Sequence, residues 1–227
     1  PENLIRNVNQ YRYFLDGVTV FSLKPRFIFD GDRLKLVNIP IQTAEEFHSA
    51  TTHPVSAFPY EVFLPDSWNG PVTPSFPYLG VITRLLMSER FRDGLRGHPS
   101  WESFFREDHP SHALRITVAI ARQFSDLCRS RGQECLVIIY PTGRSFKQFK
   151  EYDHLATRPL GEQLERQAIP YLDLHYAFRE RVGTEEFCGL LVESLSVRCM
   201  GHFNAEGNRL VADILYQHLV LYGFRHS

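Results

Sequence analysis

The sequence predicts an α/β layer with parallel strands, and three observations carry that prediction. Glu134-Cys135-Leu136-Val137-Ile138-Ile139-Tyr140-Pro141 holds a short continuous apolar run, the pattern of a strand buried on both faces of a parallel sheet. Ile169-Pro170-Tyr171-Leu172-Asp173-Leu174 reads as a second such strand. Helical patterns precede, separate and follow the two, which gives the helix-strand-helix-strand-helix rhythm of parallel α/β folds.

Taken in order, Leu4, Val8 and Tyr11 open the chain at helical intervals. Next come Lys24-Pro25, the alternating Arg26-Phe27-Ile28-Phe29, then Asp30-Gly31, then Arg33-Leu34-Lys35-Leu36-Val37. This is a β-hairpin pattern, with Asp-Gly supplying the positive φ angles of a tight turn and the apolar residues of both arms sharing one face. From Pro54 to Pro77 the chain is dense in proline and aromatics and lacks periodicity, so it reads as an extended excursion that packs aromatics on the domain surface. Together the hairpin and excursion form an insertion at about residues 20–78.

Helical patterning resumes over Tyr78 to Phe91 and His112 to Arg131. The second of these carries an apolar face of Leu114, Val118, Ala121 and Leu127, and Gly132 stops it. A further helix is expected over Leu155 to Gln167 and another over Tyr176 to Arg181. The last begins near Asn204 as its cap and runs through Leu210, Val211, Ile214 and Leu215 to about Tyr222, before Gly223.

A chain of 227 residues fits one domain with a sizeable core. Its hydrophobic share of 43% and net charge of -1 make an ordinary globular balance, with no excess of charge to recruit nucleic acid. Its longest apolar runs, such as Leu136 to Tyr140 and Leu219 to Tyr222, fall far short of the roughly 20 residues that span a bilayer, so no membrane segment is expected. Pro1-Glu2-Asn3 shows neither an initiator methionine nor a signal sequence, which leads to the expectation that the chain begins inside something longer or has been processed. Two core strands are fewer than the four or more usual in a twisted parallel sheet. Either the missing strands lie upstream of Pro1, or the hairpin and the excursion complete the sheet in an unusual way.

Cysteines 128, 135, 188 and 199 form no CxxC pair and no metal-like spacing, so buried free thiols are expected, with a Cys188–Cys199 disulfide as the alternative for an exported protein. His109 and His112, and His48 and His53 near Glu45 and Glu46, make no recognised zinc framework. No phosphate-cradling glycine loop points to a nucleotide, and no cofactor or metal is expected. Arg6, Arg26, Arg144 and Lys147 are the scattered cations that could hold an anion at a sheet end, although a solvated surface accounts for them as well.

The chemistry concentrates near the C-terminus. His202 lies in Met200-Gly201-His202-Phe203-Asn204-Ala205-Glu206-Gly207-Asn208, at a junction between loop and helix, where an imidazole is able to accept a hydroxyl proton and return it to a leaving group. The block Gly201 to Leu215, following two strand-like runs, resembles the C-terminal part of the SGNH (GDSL-like) hydrolases. The resemblance implies a three-layer, flavodoxin-like parallel sheet flanked by helices, here a single domain over residues 1–227 that reads as a fragment incomplete on its N-terminal side. It makes His202 the general base. Glu2-Asn3-Leu4-Ile5-Arg6-Asn7 is similar to the segment after the family's third block, which implies Asn3 as an oxyanion donor.

Two departures stand against a complete site. The aspartate that orients the histidine two or three positions upstream in the family is replaced here by Met200 and Cys199. Asp173 and Glu193 are the substitutes to consider, as is a dyad without an acid. The nucleophile should sit in a Gly-Asp-Ser block, but the only similar string is Gly31-Asp32-Arg33, whose glycine the hairpin turn explains. Ser145, in Gly143-Arg144-Ser145, follows a strand but lacks the second glycine of a nucleophile elbow and is better read as a helix cap. The function this implies is an ester hydrolase or acyltransferase acting on acyl groups such as acetyl on carbohydrate, with the serine outside this chain. The alternative is a non-catalytic module of the same scaffold that binds glycan or protein, with the Pro54 to Tyr78 aromatics as its contact surface.

Overall fold

The computed structural model describes residues 2–12, 14, 22–39, 41–88, 91–92, 95, 101–192, 199 and 201–221. The architecture is mixed α/β. Helices dominate, and the strands described form two small two-stranded sheets. The chain divides into two compact units, Glu2–Ile120 and, together with Pro1, Ala121–Ser227.

In the unit Glu2–Ile120, α1 (Glu2–Arg6) is shorter than the spacing of Leu4, Val8 and Tyr11 suggests, yet all three are buried. One turn of helix does not persist in water without tertiary support. Glu61 supplies that support: its buried carboxylate accepts from Asn9 Nδ2 and from the backbone amides of Gln10, Tyr11 and Phe63. Arg26, also buried, donates to the carbonyls of Val8 and Tyr60. Lys24 donates to the Arg6 carbonyl.

β1 (Arg26–Asp30) and β2 (Arg33–Val37) form the expected antiparallel hairpin. Phe27 faces Leu36 and Phe29 faces Leu34, so the four apolar side chains share one face. The turn is displaced by one residue from expectation. Asp30 pairs with Arg33, and Gly31 at φ 62° takes the first central position, the arrangement of a II′ turn, not of an Asp-Gly turn.

The proline- and aromatic-rich stretch is not simply a surface excursion. α2 (Ala44–Thr52), with a capping box between Thr43 and Glu46, precedes it, and α3 (Pro54–Ala57) opens it. Phe58 and Phe63 are buried, Phe58 stacking on Tyr11 and Phe63 on Phe104. Trp68, Phe76 and Tyr78 do lie on the surface. α4 (Tyr78–Met87) leaves Leu79, Ile82 and Leu86 exposed.

α5 (Ala113–Ser130) begins in the first unit and ends in the second, close to the expected span, and Gly132 follows at φ 66°. Its buried stripe runs Leu114, Val118, Ala121, Ser125, Cys128, the spacing that 3.6 residues per turn requires. Leu127 falls off that stripe and is 48% exposed, contrary to expectation.

In the unit Ala121–Ser227, β3 (Val137–Ile139) and β4 (Tyr171–Asp173) pair in parallel, Val137 against Tyr171 and Ile139 against Asp173. The expected double burial is only partial: Ile139 is buried, whereas Val137 and Ile138 are half-buried. Two helices connect the strands. The sequence reading missed α6 (Gly143–Tyr152), and α7 (Arg158–Arg166) starts later than Leu155 because Pro159 fits only a first helical turn. α8 (Leu174–Arg181) continues directly from β4, followed by α9 (Thr184–Gly189) and α10 (Ala205–Leu221); Tyr222 and Gly223 lie outside the described residues.

The core of this unit gathers Phe146 of α6, Leu174 and Phe178 of α8, Phe187 of α9, and Val211 and Ile214 of α10. Phe146 stacks on Phe187 with centroids 4.2 Å apart. The cysteines are not free. Cys128 bonds to Cys135, and Cys188 to Cys199, with Cα atoms 6.1 and 4.6 Å apart. Among the described residues no helix is long and apolar enough to cross a membrane.

Candidate functional site

His202 sits where the sequence puts it, three residues before α10, and its side chain is exposed. The backbone around it is held closely. The Val192 amide donates to the His202 carbonyl at 2.8 Å, and the Asn204 amide donates to the Leu190 carbonyl at 2.8 Å, forming a bridge between Leu191 and Phe203. Asn204 caps the helix as expected, accepting from the amides of Glu206 and Gly207, while its own Nδ2 donates to the Gly189 carbonyl. Phe203 stacks on Phe178, with rings 5.5 Å apart and nearly parallel, which anchors the loop to the core.

The approach to His202 has an unusual backbone. Cys199 is at φ 64° and Gly201 at φ 119°. At Gly201 a Cβ would lie 2.7 Å from the Val192 carbonyl oxygen, so the position demands glycine. A non-glycine residue in the left-handed region, like Cys199, costs roughly 1–2 kcal/mol. Its sulfur is bonded to Cys188.

The orienting acid does not come from Asp173. That residue is buried, not a solvated surface group, and its carboxylate is engaged elsewhere: Oδ1 accepts from the His175 amide and from His175 Nδ1 at 2.6 Å, and Oδ2 accepts from Thr157 Oγ1 at 3.4 Å. Glu193 and Met200 lie outside the described residues. Asn3 is exposed on α1 in the unit Glu2–Ile120, whereas His202 belongs to the other unit.

Thr142 is the N-cap of α6, and Ser145, read from the sequence as a helix cap, is instead its capping-box partner at the third helical position. The sequence reading missed what else it touches: Ser145 Oγ lies 2.9 Å from His175 Nε2. With Nδ1–H donating to Asp173, Nε2 is left to accept the serine hydroxyl, so Ser145, His175 and Asp173 reproduce the connectivity of a serine-hydrolase triad. Their exposures are 2%, 0% and 7%, and Ser145 Oγ also accepts from the Thr142 amide. A nucleophile so enclosed and so fully bonded meets no substrate, and the relay satisfies buried polar groups. The signal that could have found it is Asp173-Leu174-His175 at a strand end, where the aspartate caps a helix and faces its own i+2 residue.

The remaining candidates do not converge. His109 is buried against Phe104 and bonded through Nδ1 to Ser111, while His112 is exposed. Arg26 is committed to backbone carbonyls. Comparison with protein-family models, with curated proteins and with solved structures finds no match to this chain.

Proposed function

We propose that this chain is the histidine-bearing portion of an SGNH-type ester hydrolase or acyltransferase, with the three-layer parallel sheet of that family and an acyl group, such as acetyl on a carbohydrate, as its cargo. The supporting observation is the exposed His202 imidazole on a tightly held loop at the start of α10. In this reading the nucleophilic serine comes from outside the 227 residues. His202 takes its proton as the serine oxygen attacks the acyl carbon, then returns that proton to the departing alcohol oxygen. Water or an acceptor hydroxyl repeats the cycle to release the acyl group.

The test is hydrolysis of a short-chain aryl ester by the protein made from its whole reading frame. His202→Ala should lower kcat by at least about a hundredfold, the effect of losing a positioned base. Unchanged turnover in that variant would remove His202 from the mechanism.

A second reading, a non-catalytic module that binds glycan, is favoured by the exposed aromatics Trp68, Phe76 and Tyr78, because flat rings stack on sugar faces. Arg92 lies over Trp68 at 5.0 Å. Saturable quenching of Trp68 fluorescence by a glycan, lost in Trp68→Ala, together with no esterase activity, would establish this reading over the first.

A further inference from the structure

We propose that the Cys188–Cys199 disulfide is a positioning element for His202, holding the imidazole in register through its backbone where, among the described residues, no carboxylate holds it through its ring. The inference rests on the reading of His202 as the base.

Among the described residues the His202 ring has no hydrogen-bond partner, and the only buried carboxylate proposed for it, Asp173, belongs to His175. An imidazole without an orienting acceptor keeps its place only through its backbone and rotamer. Val192 fixes the carbonyl of His202, and Asn204 fixes the residues after it. On the upstream side stands Cys199, three residues away and bonded to Cys188.

Cys188 belongs to α9, whose Phe187 is fully buried in the core and stacked on Phe146. The disulfide therefore runs from the rigid core to within three residues of the imidazole. The opposite side of Cys199 is closed by the first residue of α6: a side chain at Gly143 would collide with the carbonyl and sulfur of Cys199. Cys199 is thus confined between α9 and the start of α6, in a left-handed conformation that is costly for a residue other than glycine.

The test compares the oxidised protein, made from its whole reading frame, with the same protein reduced by a dithiol. The dithiol closes its own disulfide as it delivers two electrons and two protons to the two sulfurs. Cys188→Ser/Cys199→Ser provides a genetic counterpart, Cys128→Ser/Cys135→Ser a control, and Gly143→Ala a variant that displaces Cys199 with the bond intact. The readouts are kcat and KM on a short-chain aryl ester, and the His202 Cε1–Hε1 NMR resonance assigned from His202→Gln.

Breaking Cys188–Cys199 should lower kcat by about tenfold or more while KM changes less than about twofold, the pattern of a misplaced catalytic group. The His202 resonance should shift or broaden while the buried His175 resonance stays, and Gly143→Ala should move it in the same way. The Cys128/Cys135 control should leave His202 unchanged. An unchanged His202 resonance in both the reduced protein and Gly143→Ala overturns the proposal. If the oxidised protein cleaves no ester but the resonance still moves, the positioning stands and the catalytic reading falls. If the serine pair does not fold, the reduced protein and Gly143→Ala decide the matter.

Discussion

Ser145 and His175 share a 2.9 Å hydrogen bond between Oγ and Nε2 in the interior of the unit Ala121–Ser227, at the start of α6 and of α8. The bond ties together two helices that follow neighbouring parallel strands, and Asp173 extends it to the end of β4. Ser145→Ala removes the capping-box partner of Thr142 and the buried partner of His175, so a loss of about 2 kcal/mol in urea unfolding is expected. Asp173→Ala leaves the His175 ring and amide without an acceptor and should cost about 3 kcal/mol. Ester turnover per folded molecule should survive in Ser145→Ala. Its complete loss would make this serine a nucleophile after all.

Asn204 has two duties: it caps α10 and donates to the Gly189 carbonyl. Asn204→Ala is expected to lower stability by about 1–2 kcal/mol. Asn204→Asp keeps the cap but loses the donor, and should recover about half of that. Equal thermal midpoints for Asn204→Ala and the parent would contradict the capping geometry.

Lys24 makes stability depend on pH. Burial, then the neighbouring Arg6, Arg26 and Arg12 cations, lower its pKa to about 8 from the ordinary 10.5, while Glu61 opposes the shift. Between those two values the unfolded chain binds more protons at this group than the folded one, so this contribution to stability rises with pH from about 8 to about 10.5. Below pH 8 the cost of holding the charged amine is present in full. Lys24→Met removes the titration, so the variant's stability relative to the parent should fall between pH 7.5 and pH 10 in urea titrations. A constant difference across that range would count against the burial of this amine.

Val118 and Leu127 share a helix but not a face. Val118→Ala should cost about 2 kcal/mol, because the side chain is buried. Leu127→Gln should stay within about 0.5 kcal/mol, because it is largely exposed. The reverse ranking in chemical denaturation would place the buried stripe on the other face of α5.

The parts of the fold legible in the sequence are those in which one local signal governs. The apolar runs at Val137 and Tyr171, the amphipathic stripe from Leu114, the hairpin and the Asn204 cap all follow from periodicity or from a single side chain bonding to nearby backbone. α6 was not legible because Gly143-Arg144-Ser145 looks like a loop until Thr142 and Ser145 cap each other. Phe58 and Phe63 read as surface aromatics because burial beside Tyr11 and Phe104 depends on partners distant in sequence. Leu127 misled because hydrophobicity alone does not fix helical phase; Ser125 and Cys128 keep the stripe at the expense of an apolar neighbour. At the candidate site, His202 and its capped helix were readable from nine consecutive residues. The His175 relay was not, because Ser145 and His175 are separated by 30 positions and meet only through the parallel pairing of β3 with β4.

The carboxylate of Glu61 has a practical consequence for how the protein can be cut. Three of its four donors lie within Asn9–Tyr11, so the opening segment acts as a ligand docked on the body of its unit. Trimming the chain to start after Tyr11 would leave the buried carboxylate with the Phe63 amide as its one remaining hydrogen-bond donor among those four and would remove the buried side chains of Leu4, Val8 and Tyr11. A shortened protein should therefore be rescued by adding back a synthetic peptide of residues 2–12, supplied in trans, in the manner of a complemented enzyme fragment.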